Sequence, residues 1–395
     1  MTEEKSLPMG IRPPLPIKPL PEPPVGLRQM MKWIGPGIII GALATGGYEN
    51  MSAPYVASIP GGISTMWMCL VGLILSFIMF REASRYTIAT GESFFQGLCR
   101  IRPKYVWGIV GALSVALHVA WPGWMTSAMM GISMIVHGKY DYWMPWAYGA
   151  VIAMYILYIF QKYVYKFLEA IMTIIMICTS AAVVVFTLLS PEIYAIGAEG
   201  WFLGWMKMDI IKATALIGPA LVGLHFFQQL NPTVHSGFFT LFMRERGHGM
   251  GTYMGKVTGL IWKAETMPDV GYTFDAKDPN EMRKWKGWMK HITFETGVIY
   301  TLWGCFIFTF LYSLGGLLLL LEGVKVSGLE APLTMGKGFG ARYGSWVGTF
   351  FFFSIALSLW DTQWGVTDAQ CRVYSDVLWT LWPGARKRTY RFWYY

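Results

Sequence analysis

The stretch GALATGGYEN, Gly41 to Asn50, decides how the rest of the chain is read. It continues the apolar run PGIII that starts at Pro36, yet it holds two adjacent glycines, a tyrosine and a glutamate. Each glycine weakens a helix by roughly 1 kcal/mol relative to alanine, and a carboxylate at mid-bilayer costs about 2.5 to 3.5 kcal/mol on insertion scales. An unwound turn facing a polar cavity answers both costs, because irregular backbone is tolerated at that depth only where it is buried in protein or lines water. The other reading of the glycines is close packing of helices.

The composition around this stretch supports a membrane setting. Of 395 residues, 54% are hydrophobic and 14% charged, with a mean hydropathy of +0.41. Roughly 20 apolar residues cross a bilayer, so such a chain has room for many crossings and reads as one polytopic, all-α integral membrane domain. The net charge of +9 sits in short segments between apolar runs, as in cytoplasmic loops, which argues against a nucleic-acid partner. Cys69, Cys99, Cys178, Cys305 and Cys371 show no CxxC spacing and read as packing residues. The first 32 residues lack the apolar core of a signal peptide; IRPPLPIKPLPEPPVG, residues 11–26, reads instead as a polyproline arm able to dock a protein partner.

Apolar runs predict spans near 35–58, 64–80, 105–136, 142–162, 167–190, 210–243, 293–321 and 343–381, eight in all. Arg81, Arg85, Arg100, Arg102 and Lys104 follow the second span, Lys162 and Lys166 the fourth, and RKR at 386–388 the eighth. The positive-inside rule then puts the N-terminal arm, residues 1–32, in the cytoplasm, and a cytoplasmic (inner) membrane is expected. The transmembrane domain covers 33–383. Its long loop, 244–292, includes KWKGWMK at 284–290, which reads as an interfacial helix with its tryptophans among headgroups. The tail 384–395, with RKRTYRFWYY, resembles the approach to a further span.

The sixth span repeats the first span's anomaly. IGPALVGLHFFQQLNPTVHSG, residues 217–237, holds Gly218, Pro219, Gly223, His225, Gln228, Gln229, Asn231, Pro232 and His235. Proline removes a backbone donor, and amides are costly in lipid unless they face a partner or water. Two interrupted spans at corresponding places point to a secondary transporter built from inverted repeats, with its substrate held between the breaks. His118, alone in the third span, reads as a packing residue.

GPG at 35–37, SRYTIATGES at 84–93 and NPTVHSG at 231–237 resemble the Nramp family of divalent-metal transporters, over most of residues 33–380. The likeness is to the Nramp-related, magnesium-type members with altered metal-site residues. It implies a LeuT-type fold with broken first and sixth helices, here with the last two of the ten core helices missing. It also implies a divalent cation as cargo, with no permanently bound cofactor. The family's DPGN falls on Gly46, Gly47, Tyr48 and Glu49, so glycine replaces the metal-binding Asp and Glu49 replaces the Asn. The family's MPHNLYLHS falls on QQLNPTVHS, where Asn231, His235 and Ser236 match but Gln228 replaces the metal-binding Met. Thioether suits soft metals and oxygen donors suit hard ones, so the change favours a hard ion such as Mg2+ over Mn2+ or Fe2+. The implied metal set is Glu49, Gln228, Gly46, His225 and Asn231, with Tyr48, Gln229 and Asp361 along the ion route.

The family's proton-coupled members use acidic residues in the third span; here GALSVALHVAWPGWMTSAMMGISM, 111–134, has none, so passage without proton coupling is expected. In the eighth span Asp361, Asp368, Arg372 and Asp376 recur at seven, four and four, along one helical face. Asp368 and Asp376 flanking Arg372 read as a structural ion-pair ladder, and Asp361 as a carboxylate without a partner in its own helix. Two further readings stay open: a transport-incompetent Nramp-like subunit of a larger membrane complex, and an organic-cation carrier using some of the 19 tryptophans and 21 tyrosines. No histidine-box or nucleophile–base motif supports an enzyme.

Overall fold

Pro36 opens the helix that the glycine-rich stretch later breaks. At the first turn a proline's missing N–H is no loss, since that donor has no intrahelical partner anyway. The computed structural model describes residues 15–103, 105–119, 123–188, 192–207, 210–219, 232–326 and 331–395. Among them the regular elements are helical, apart from one isolated bridge between Ile17 and Thr273. Helix α1 (Leu27–Trp33) precedes α2 (Pro36–Ala44), and a wide π-type turn over Thr45–Ser52 leads into α3 (Ala53–Ala57). Within that turn Gly47 has φ −97° and ψ −107°, outside the helical range, so the first helix is broken there.

The chain continues through α4 (Trp67–Thr90), α5 (Phe94–Leu98), α6 (Val106–Val119), α7 (Gly123–His137), α8 (Trp143–Phe160) and α9 (Val164–Leu188). Then follow α10 (Glu192–Lys207), α11 (Ile210–Ile217), α12 (Pro232–Arg246), α13 (Pro279–Leu321), α14 (Ala331–Tyr343), α15 (Ser345–Leu381) and α16 (Tyr390–Tyr394). Among the described residues, five segments are long and apolar enough to cross a membrane: Gly62–Thr90, Val106–His137, Trp143–Phe160, Val164–Ala181 and Pro279–Leu321. Pro36–Gly47 is a shorter apolar helix.

Helix α2 lies inside the bundle, against α9, α12, α13 and α15. Its approach to α13 is possible because two glycines meet: a Cβ added at Gly304 would stand 2.6 Å from the Cα of Gly41. Helix α15 runs beside α2, α6, α7, α9 and α14, and its Ser358 and Thr362 reach the end of α2 at the break.

Three expectations are revised. The second span does not stop near residue 80; α4 runs to Thr90 and ends where Gly91, at φ +70°, supplies the left-handed cap. Helices α10 and α14 lie outside the expected spans, and α10 is anchored by the fully buried Trp201, whose indole donates to Ser313 Oγ at 2.9 Å. KWKGWMK is not a separate interfacial helix but part of the first turns of α13; Trp288 is fully buried, edge-on to Trp33 at 5.3 Å. The side of that helix that carries Trp288, Met289 and Ile292 is covered by protein.

The covering element is the described part of the N-terminal arm, which docks on the chain itself. Lys18 N donates to Thr273 O at 2.7 Å and Thr273 N to Pro16 O at 2.9 Å, forming a short parallel bridge. Trp288 Nε1 donates to Pro21 O at 2.9 Å, Tyr253 OH to Pro19 O at 2.8 Å, and Leu20 N to Glu281 Oε2 at 2.5 Å. Lys18 stands 3.8 Å from the centroid of the Tyr272 ring. An extended proline-rich strand has free carbonyls and no internal bonds, so donors on the chain's own loop and on α13 take it up.

Candidate functional site

The break in the first helix is built by α2 and α15 together. Thr45 Oγ1 donates to Ala42 O at 2.7 Å and meets Ser358 Oγ at 2.9 Å. Thr362 Oγ1 lies 3.1 Å from Leu43 O and 2.9 Å from Ser358 O. These hydroxyls occupy carbonyls near the turn where the helical ladder fails. Gly46 is buried, and a Cβ there would overlap Thr362 Oγ1, so no side chain fits at the position where the resemblance places an aspartate. Only its backbone is available as a ligand.

Asp361 precedes Thr362 and is 1% exposed. Its Oδ1 is 3.4 Å from Thr362 Oγ1, and Oδ2 has no hydrogen-bond partner among the described residues. A buried carboxylate in that condition is costly unless a cation or water meets it.

Farther along α15 every carboxylate is engaged. Arg372 lies 2.7 Å from Asp368 and 2.6 Å from Glu245, while Asp376 faces Arg244 at 2.8 Å. The expected ladder is therefore corrected: Asp376 does not flank Arg372 but pairs with a residue of α12, because the side chain that reaches it comes from the neighbouring helix. Ser93 Oγ donates to Asp376 at 2.5 Å, Tyr390 OH at 2.7 Å, and Gln96 Oε1 accepts from Arg244 at 2.9 Å. Tyr394 OH donates to Asp368. Burial, ahead of the nearby carboxylates, pushes the phenols of Tyr390 and Tyr394 well above their usual range, so both remain donors. The tail thus folds back onto α15 and closes this end of the bundle.

His118 and His235 meet ring to ring, centroids 5.0 Å apart and nearly perpendicular, with Phe238 6.0 Å from His235. A further constellation joins residues far apart in the sequence. His248, His291 and Glu295 are fully buried, and one ligand atom from each lies within 4.8 Å of the others. The spacing of His291 and Glu295, one helical turn, was a local signal; His248 lies on a loop that only the fold brings close.

Of the sequence-derived ligands, Gly46 and Asp361 are brought together around Thr362. The side chains of Tyr48 and Glu49, and residues His225, Gln228, Gln229 and Asn231, lie outside the described residues. Helix α11 ends at Ile217 before Gly218, whose φ is +80°, and α12 begins at Pro232.

No protein-family model and no curated protein matches this sequence. Solved structures do match. Three crystal structures of a manganese transporter from Eremococcus coleocola, one a histidine-to-alanine mutant and two glutamate mutants, align with a TM-score of 0.61. They share 11 to 12% identity with this chain, and each alignment covers 98% of this chain and 72% of theirs. The chain therefore has the fold of that manganese transporter.

Proposed function

We propose that this protein is an Nramp-related membrane transporter that carries a divalent metal cation past the break in its first helix, and not an enzyme. The observation that carries the reading is the break at Gly47 beside a buried carboxylate, Asp361, with one oxygen that has no hydrogen bond among the described residues. Carbonyls released by an interrupted helix and a carboxylate without a counter-ion are the donors a hard cation takes. The shared fold with a manganese transporter supports the same class of cargo.

In this reading Glu49, Gln228, the Gly46 carbonyl, His225 and Asn231 act as direct or outer-sphere ligands, and Tyr48, Gln229 and Asp361 line the route. The five-helix inverted repeat supplies the two faces that exchange access. Loss of the thioether donor shifts preference from Mn2+ and Fe2+ toward Mg2+. With no acid between residues 111 and 134, passage is uncoupled from protons. Asp368, Arg372 and Asp376 serve as structural ions at the closed end.

The test is uptake into proteoliposomes holding a Mg2+ indicator and a pH indicator. Flux should fall at least tenfold in Asp361→Asn, Glu49→Ala and Gln228→Ala, with no metal-driven acidification. Unchanged flux in all three variants sinks the assignment, and acidification sinks the uncoupled mechanism. A second reading, a transport-incompetent subunit, is favoured by one feature, the lack of space for a side chain at Gly46. Folded protein that moves neither Mg2+ nor Mn2+ would establish it.

A further inference from the structure

We infer that His248, His291 and Glu295 form a binding site for a first-row transition-metal dication, separate from the transport route and able to clamp the broken helix in place. Glu295 is already fixed: its Oε1 accepts from the backbone N–H of Gly35 at 2.9 Å and of Gly37 at 2.8 Å, at the entry to α2. That leaves Oε2, which has no hydrogen bond of its own among the described residues. His291 lies one turn earlier on α13, its Nε2 in ion-pair contact with that oxygen at 3.3 Å, and its Nδ1 has no hydrogen-bond partner among the described residues.

His248 completes the set from the loop after α12. Its Nε2 is 3.1 Å from the carbonyl of Trp33. A carbonyl can only accept, so Nε2 carries the proton and Nδ1 presents a lone pair, with no hydrogen-bond partner. Metal-bound histidines are oriented in this way, by donating the other ring N–H to a carbonyl or carboxylate. The rings of His248 and His291 stand nearly perpendicular, centroids 5.2 Å apart, walled by Trp33 and Trp288.

One ligand atom from each of three fully buried side chains thus comes within 4.8 Å of the others. Donors about 2.0–2.2 Å from a tetrahedral ion stand roughly 3.3–3.6 Å apart, so closing the present spread around a metal needs only a small side-chain shift. Two imidazoles and one carboxylate suit Zn2+, Co2+ or Fe2+, whereas Mg2+ and Ca2+ prefer all-oxygen shells. A bound ion would tie the entry of α2 to α13 and to the loop after α12, holding the first half-helix against its neighbours.

The experiment uses the purified full chain in detergent with Co2+ as probe and Mg2+ in excess, which keeps an oxygen-lined route occupied. One equivalent of Co2+ should bind with the visible absorption of a four- or five-coordinate ion. Glu295→Gln and His248→Gln should each weaken it at least tenfold, while Asp361→Asn leaves it unchanged. Glu295→Gln keeps an oxygen for the N–H groups of Gly35 and Gly37, so the fold is preserved. Should a variant fail to fold, cobalt-edge absorption of the unaltered protein decides: imidazole scattering in the first shell supports the site. Oxygen-only coordination, binding unaffected in both variants, or binding lost in Asp361→Asn would each overturn it, whatever the outcome of the flux measurements.

Discussion

Two stretches of the same helix, α15, treat buried carboxylates in opposite ways. Around residues 368–376, Asp368 and Asp376 each have an arginine and a tyrosine hydroxyl, and Glu245 joins them through Arg372. Seven residues before Asp368, Asp361 is as deeply buried but meets one long contact to Thr362. Both segments run through the same bundle, so burial alone does not separate them. The difference lies in what faces each: at the closed end α12 and the tail supply donors, whereas at the middle α15 faces a helix whose own backbone is open at Gly47. A charge with all its partners in the protein holds structure together, and in the function proposed above Asp361 meets a mobile cation instead.

That contrast can be broken by substitution. The largest effect is expected for Arg372→Met, which strands Asp368 and Glu245 and should cost about 3–5 kcal/mol in detergent unfolding. Near-wild-type stability would mean the closed end is not a structural ion cluster. Tyr394→Phe removes a donor to a buried carboxylate and should cost about 1.5–3 kcal/mol by the same measurement. Gly46→Ala forces a methyl against Thr362 and should cost about 1–3 kcal/mol while lowering flux, as α2 or α15 is displaced. The smallest loss is expected for Asp361→Asn, which should leave stability unchanged or raise it, because it removes a buried carboxylate whose one contact among the described residues is long and keeps an oxygen for that contact. If Asp361→Asn destabilised the protein as much as Arg372→Met, the two stretches would be alike and the assignment of Asp361 to the ion route would fall.

Legibility followed the range of the interactions. The apolar runs and the Gly46–Gly47 pair announced helices and a weak point, because hydrophobic length and glycine propensity are local properties. The four-residue spacing of Asp368 and Arg372 was likewise readable, and the two side chains stand 2.7 Å apart. Asp376 followed the same spacing, yet its arginine is Arg244, 132 residues away in sequence, and nothing local distinguishes the two cases. The tryptophans of KWKGWMK misled for a related reason: an amphipathic segment beside basic residues has the same pattern whether lipid or a polyproline strand covers it.

By itself, the sequence determined that the chain is a helical membrane protein with a helix that glycine weakens at Gly46–Gly47, since those features depend on neighbours a few residues apart. Only the tertiary structure decided that Arg244 belongs to Asp376, that Leu20 and Pro21 lie on α13, and that His248 meets His291 and Glu295. Those pairings depend on which helix faces which after packing, and side-chain partners across a bundle are set by that geometry and not by spacing along the chain.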